Sequence, residues 1–265
     1  MPRLFIVGGS DAGISAALRT RELAPDWQVT MAVADRYPNF SICGIPFYLG
    51  GEIPNAQDLA HRKAADIEAL GIEMLLDTRI DQVNAQGKRV HAAGVEHAFD
   101  KLVIGTGATS IRPPIAGLDL PGVFLLRWMD DMFAFERHLE TRRPRRVTIV
   151  GAGYIGLEMA EAMTHRSVEV TVIELAPSAM TTIDPDLGTL VGQELERHGV
   201  RLFAGQAIAE IAAEGESLRL KGPNNFTHEA DMVLVAAGAK PDTALAVAAG
   251  AQTGFKGAIK VNRRM

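Results

Sequence analysis

A pattern that occurs twice restricts the fold of this chain more than any other feature: a short apolar strand, a glycine-rich turn, a helix, and a second strand ending in an acid. In the first copy Leu4-Phe5-Ile6-Val7 runs into Gly8-Gly9-Ser10-Asp11-Ala12-Gly13, and Ile14, Ala17 and Leu18 follow at helical spacing. A strand from Val29 to Ala34 then reaches Asp35. In the second copy Val147-Thr148-Ile149-Val150 precedes Gly151-Ala152-Gly153-Tyr154-Ile155-Gly156, a helix through Ala162, and a strand from Val168 to Ile173 that ends at Glu174. Strands joined through such a helix lie parallel, with a right-handed crossover.

A glycine turn that opens a helix aims backbone N–H groups along the helix axis, where the dipole favours a pyrophosphate. Two copies therefore predict an α/β chain with two Rossmann-like dinucleotide-binding domains. Gly151, Gly153 and Gly156 fill all three glycine positions of the second copy, and Glu174, 23 residues after Gly151, stands where an acid binds a ribose diol. A carboxylate there repels a 2′-phosphate, and Leu175-Ala176-Pro177 offers no arginine, so NADH is favoured over NADPH. In the first copy Ser10 replaces the middle glycine, and the candidate acid, Asp35, follows Gly8 by 27 residues.

The 265 residues, 47% hydrophobic with 26 glycines, suit two globular domains. A net charge of −5 works against nucleic acid and anionic membrane surfaces as partners. No run approaches the ~20 apolar residues that span a bilayer, and the start lacks a signal-peptide pattern, so a cytoplasmic protein is expected. Seven histidines and one cysteine without ligand spacing predict no metal site. The proline-rich stretch Ser110 to Gly117, after the strand Leu102-Val103-Ile104, marks a domain crossing. Asp184 as cap, Pro185, and Leu187, Leu190, Val191 and Leu195 on one face predict a further helix. The basic run Arg142-Arg143-Pro144-Arg145-Arg146 reads as a solvated loop.

The single cysteine lies in Asn39-Phe40-Ser41-Ile42-Cys43-Gly44-Ile45-Pro46-Phe47-Tyr48-Leu49-Gly50-Gly51. A lone cysteine is either a small buried hydrophobe or a reactive thiol. Here it stands near the start of a short helix bounded by Gly50-Gly51, which favours a thiolate.

The order and spacing of these segments resemble the pyridine nucleotide-disulfide oxidoreductases, specifically the single-cysteine branch of coenzyme A disulfide reductases, persulfide reductases, and NADH oxidases and peroxidases. Asp100-Lys101-Leu102-Val103-Ile104-Gly105-Thr106-Gly107-Ala108 is similar to the family's first junction, and Leu234-Val235-Ala236-Ala237-Gly238-Ala239-Lys240-Pro241-Asp242 to its second. The resemblance implies FAD on the first unit, through Gly8, Gly9, Ser10, Ala12, Gly13, Asp35, Arg36, Thr106, Gly107 and Ala108. It implies NADH on the second, through Gly151, Gly153, Ile155, Gly156, Glu174 and Gly238. The expected stretches are the beginning of an FAD-binding domain over residues 1–112, an NAD-binding domain over residues 113–247, and a return segment over residues 248–265.

Cys43 would then be the redox thiol beside the flavin, in a segment similar to the family's Ser-Phe-x-x-Cys-Gly with Asn39 in place of the serine. Tyr154 resembles the aromatic that shields the flavin, and Glu158 matches the acid of the nicotinamide pocket. Asp11 occupies the position of the histidine that serves peroxide chemistry in the oxidases and peroxidases, or is a plain turn residue. Arg19 and Arg21 lie where related enzymes hold coenzyme A phosphates, and Arg19, Asn39 and Phe40 are the candidate substrate residues. The implied activity is NADH-dependent reduction of a small disulfide or persulfide, such as coenzyme A disulfide. An NADH oxidase and a weakly active nucleotide-binding remnant remain as alternatives. The resemblance also leads to the expectation that a C-terminal dimerisation domain is absent from this chain, which in full-length relatives forms a homodimer.

Overall fold

The computed structural model describes residues 1–263. In chain order its regular elements begin with β1 (Arg3–Val7), α1 (Asp11–Leu23), β2 (Gln28–Ala32), α2 (Ile45–Gly50), α3 (Ala64–Glu68) and β3 (Ile72–Leu75). There follow β4 (Gln82–Asn84), β5 (Arg89–Ala92), β6 (Val95–Ala98), β7 (Lys101–Ile104), β8 (Ala108–Ser110), β9 (Val123–Phe124) and α4 (Met129–Arg142). The rest comprises β10 (Arg146–Val150), α5 (Tyr154–His165), β11 (Glu169–Ile173), α6 (Pro185–Arg197), β12 (Arg201–Phe203), β13 (Glu210–Glu214), β14 (Ser217–Lys221), β15 (Thr227–Ala230), β16 (Met232–Val235), β17 (Ala239–Pro241) and α7 (Ala244–Ala248). None of these helices is long and apolar enough to cross a membrane.

The chain divides into two compact units. Met1–Ser41, Gln57–Thr109 and Lys240–Met265 form the first, and Ile42–Ala56 with Ser110–Ala239 the second. This grouping differs from the linear stretches expected from sequence, because the cysteine segment packs with the second unit and the residues after Ala239 return to the first. Strands β8 and β17 form a two-stranded sheet.

In the first unit the parallel sheet has the order β3-β2-β1-β7, with Val7 level with Ala32 on one side and Ile104 on the other. Alternate residues of a strand face opposite sides. Leu4 and Ile6 therefore pack with Ile14 and Ala17 of α1 and Ile67 of α3, while Phe5 and Val7 pack with Val83, Val90 and Ala92 of the antiparallel sheet β4-β5-β6. Burial on both faces is why β1 reads as a continuous apolar run.

The second unit repeats the plan. Its sheet order is β12-β11-β10-β16-β9, with Val150 level with Ile173 and Val235, and a three-stranded antiparallel sheet, β13-β14-β15, closes one face through Ile211, Leu218 and Leu220. Helix α5 buries Gly156, Met159, Ala160, Ala162 and Met163.

Three expectations need correction. Strand β2 stops at Ala32 rather than Ala34, because the chain turns at Asp35, whose Oδ1 accepts the Tyr37 N–H at 2.8 Å. Helix α6 does begin at Pro185, but its innermost residues are Gly188 and Gly192; Leu187 and Leu190 face solvent. Only glycine lets this helix sit so close, since a Cβ on Gly188 would lie 2.4 Å from the Ala179 carbonyl oxygen. The basic run is not merely a solvated loop. Arg146 opens β10 and donates to Asp231 at 2.7 Å and Glu229 at 3.2 Å, and Asp231 also accepts the Arg145 and Arg146 backbone N–H groups.

Candidate functional site

The two glycine turns share the backbone bonds that set their register. Gly8 N donates to Ala32 O at 2.8 Å and Gly151 N to Ile173 O at 2.8 Å; Gly105 N donates to Val7 O at 2.7 Å and Ala236 N to Val150 O at 2.8 Å. Each turn begins with a glycine at positive φ, +109° for Gly8 and +114° for Gly151, a region L side chains avoid. Each ends with a glycine at which a Cβ would lie 2.0 Å from a carbonyl oxygen, Gly8 O for Gly13 and Gly151 O for Gly156. The helices α1 and α5 thus start hard against their turns, and the N–H groups of their first residues have no acceptor within the helix.

Above the second turn there is room. A Cβ on Gly153 would meet nothing within 4 Å, so a pyrophosphate can approach the backbone there. Glu174 follows β11 directly, and its carboxylate accepts the Ala152 N–H at 2.6 Å and the Ala176 N–H at 2.8 Å, which holds it beside the turn. A dinucleotide with a free ribose diol fits this set of donors and acid. Tyr154 and Ile155 open α5 and are exposed, at 59% and 42%.

One helical turn on, Glu158 shares the face of Tyr154. Both line a hollow of about 390 Å³ together with Leu157, His165, Met180 and His198. The Glu158 side chain is exposed, yet the protein packed about its carboxyl, and then the charge of Glu161, push its pKa up. Gly238 adopts φ +98° and its carbonyl accepts the Ile111 N–H at 2.9 Å.

The first turn is bound to a loop that carries several predicted residues. Asn39 is 3% exposed at φ +56°, a conformation asparagine tolerates better than most residues. Its N–H donates to Gly9 O and its carbonyl accepts the His61 N–H. Its side-chain amide donates to Asp11 Oδ1 at 3.3 Å and accepts from Arg62 Nη1 at 3.4 Å. Asp11, the first residue of α1, is thereby joined through Asn39 to Arg62, which carries no motif and was missed in the sequence. Phe40 pairs with Ala60 as an isolated bridge and meets Tyr37 edge to face at 5.5 Å. Thr106 Oγ1 donates to Asp242 O, and Gly107 O accepts the Asp242 N–H, so the start of the junction is held by the returning chain.

Asp35 and Arg36 lie beyond the end of β2, and Arg36 pairs with Asp77 at 3.6 Å. Ser10, whose side chain makes no cap bond, and Ala12 complete the turn and the first residues of α1. Arg19 pairs with Glu22 on the exposed face of α1, and Arg21 is tied to the carbonyls of Pro25, Trp27 and Leu70.

Cys43 is exposed, which removes the reading of a buried hydrophobe. It lies in a single 3₁₀ turn, Ile42–Gly44, ahead of α2, whose end is Gly51 at φ +90°. Helix α2 is only six residues long, and the second unit fixes it from several sides. Tyr48 donates to Glu136 Oε1 at 2.6 Å, Arg166 Nε donates to Leu49 O at 2.6 Å, and Gly50 lies close to Ala162 of α5. Burial, and then the bond and charge of Glu136, push the Tyr48 pKa up to about 12, so this latch keeps its proton through the neutral range. Glu136 and Arg166 gave no signal in the sequence.

The chain matches the pyridine nucleotide-disulphide oxidoreductase family over residues 2–265. It belongs to that family. It is 31% identical over 270 residues to an NADH oxidase of Methanocaldococcus jannaschii, and 33% identical over 267 residues to an NAD(P)H sulfur oxidoreductase (CoA-dependent) of Pyrococcus furiosus; each alignment covers 99% of this chain and 60% of the relative. The solved NAD-dependent persulfide reductase from A. fulgidus superposes with a TM-score of 0.92 at 32% identity, over 98% of this chain and 50% of that one. This pyridine nucleotide-disulphide oxidoreductase chain thus spans about 60% of the length of the first two relatives. Its duplicated nucleotide fold and family membership agree with the expectations from sequence.

Proposed function

We propose that this chain is the nucleotide-binding portion of a flavoprotein that uses NADH to reduce a small disulfide or persulfide through Cys43. The observation that carries the reading is the second glycine turn, where Glu174 stands beside Ala152 as a ribose acid would, in a unit that also holds the exposed thiol. The names of the Pyrococcus furiosus and A. fulgidus relatives support a sulfur substrate. Coenzyme A disulfide is the favoured example, and Cys43-Gly44-Ile45-Pro46-Phe47-Tyr48 supports that choice. FAD is assigned to the first unit, whose turn repeats the glycine conformations and backbone bonds of the second, and NADH to the second.

In this reading Glu174 holds the adenosine ribose of NADH and rejects a 2′-phosphate by its charge. The first turn of α5 supplies N–H donors to the pyrophosphate, and Tyr154 and Glu158 flank the nicotinamide end. The flavin, when bound, supplies two-electron transfer between NADH and sulfur. The Cys43 thiolate attacks one sulfur of the substrate; the substrate S–S bond breaks, a mixed disulfide forms, and the departing thiolate takes a proton. Two electrons from NADH then cleave the mixed disulfide, releasing the second thiol and restoring the Cys43 thiolate. Asn39, Phe40 and Arg19 are assigned to the substrate side.

Cys43→Ser is expected to leave NADH-dependent bleaching of bound flavin intact and to abolish reduction of coenzyme A disulfide, followed by thiol release. Retained disulfide turnover overturns the thiol role. The Methanocaldococcus jannaschii relative favours a second reading, an NADH oxidase. Oxygen uptake with NADH and no added disulfide, at a rate matching disulfide turnover, would establish it.

A further inference from the structure

The duplicated fold allows each residue of one turn to be placed on its counterpart in the other, and one counterpart fails. Ala32 is level with Val7 as Ile173 is level with Val150, and Gly8 and Gly151 donate to those two carbonyls alike. The next residue in the second unit is Glu174, which accepts the Ala152 N–H at 2.6 Å. In the first unit it is Val33, 6% exposed, and the counterpart of Ala152 is Gly9. Val33 closes on Gly9 so tightly that a Cβ there would lie 2.6 Å from Val33 Cγ2. Gly9 is a buried residue, and among the described residues its N–H has no acceptor. An N–H without a protein acceptor is free for water or a ligand to bind. Asp35 comes two residues too late for this register, and its Oδ1 is turned onto the Tyr37 N–H at 2.8 Å.

We propose that Val33 is the specificity-determining residue of the first nucleotide site. The first turn grips a dinucleotide by its pyrophosphate, leaves the adenosine ribose diol without a carboxylate, and keeps the Gly9 N–H for an acceptor on the ligand. The second turn reads the diol through Glu174. This deepens, and rests on, the assignment of FAD to the first unit.

The test is the Kd for FAD of the flavin-stripped chain, followed by quenching of flavin fluorescence, with ADP and 2′-deoxy-ADP as competitors. The expected result is equal competition by the two nucleotides and an unchanged Kd in Asp35→Asn. Val33→Glu, which restores the acid in register, is expected to tighten FAD by about tenfold, the effect of one charge-assisted hydrogen bond, and to make ADP the better competitor by a similar factor. A tenfold loss of FAD affinity in Asp35→Asn, a tenfold preference of the unaltered chain for ADP, or a folded Val33→Glu with unchanged affinity would each overturn the proposal. Asp35→Asn decides the question even where Val33→Glu does not fold. Absence of FAD binding by every variant is a different failure, which removes the flavin assignment of the first unit along with the proposal.

Discussion

At the scale of single residues, the glycines of the second turn divide into two kinds that substitution separates. Gly156→Ala places a methyl 2.0 Å from Gly151 O, a contact with backbone that cannot yield. It is expected to cost about 1–3 kcal/mol, seen as a lower urea midpoint with an unchanged slope. Gly153→Ala meets nothing and keeps an ordinary φ of −82°, so its stability cost stays below about 1 kcal/mol, from the helix cap alone. Its expected effect is on ligand, a weaker Kd for NADH in titrations, because the methyl occupies the approach to the backbone. Equal effects of the two substitutions on stability would contradict this division. Both glycines were visible in the sequence as one motif; which of them serves packing and which serves the ligand was not, because that depends on what lies across the turn.

At the scale of elements, the antiparallel strand β15 carries His228 into the second unit, where it contacts Thr148 Oγ1 of β10 at 3.0 Å and meets the Phe203 ring edge to face. Burial, and then the charges of Arg201 and Arg146, hold its pKa below the ordinary 6.5. The unfolded chain takes up a proton near pH 6.5 that the folded chain resists. The associated stability is therefore full above that pH and is lost as pH falls toward the folded value. The unfolding temperature is expected to drop between pH 7.5 and 5.5, and to drop less in His228→Gln; an equal drop in both proteins would show that His228 plays no role. His138, lowered by burial and by Arg142, acts in the same direction and leaves a residual slope in the variant. The two three-stranded antiparallel sheets were not legible from the sequence. Their strands are three to five residues long, with polar positions alternating in them, and they acquire an apolar side only by lying on the parallel sheets.

At the scale of the molecule, duplication does not make the two units equivalent. The second holds Glu174 and Cys43, and the first holds Val33 at the corresponding register, so adenine nucleotides should stabilise the two unequally. NAD⁺ at one hundred times its Kd is expected to stabilise the second unit by about 2.7 kcal/mol. Each unit contains one tryptophan, Trp27 in the first and Trp128 in the second. Denaturation of a Trp27→Phe chain, followed by Trp128 emission, measures the shift, and Glu174→Ala should remove most of it. An unshifted Trp128 transition at saturating NAD⁺ would remove the second unit as the NADH site.

The sequence by itself determined the parallel sheets, the two glycine turns and the family, because these depend on local backbone demands: apolar strands buried on both faces, glycine at positive φ, and helices opened by a turn. It also singled out Cys43 and Glu174. Tertiary structure alone decided which unit carries the cysteine segment, since that rests on Tyr48 meeting Glu136 and Arg166 meeting Leu49 across long separations in the chain. It alone decided that Asp35 stands out of register with Glu174, because register is set by the hydrogen bonds of neighbouring strands and not by the number of residues between a glycine and an acid.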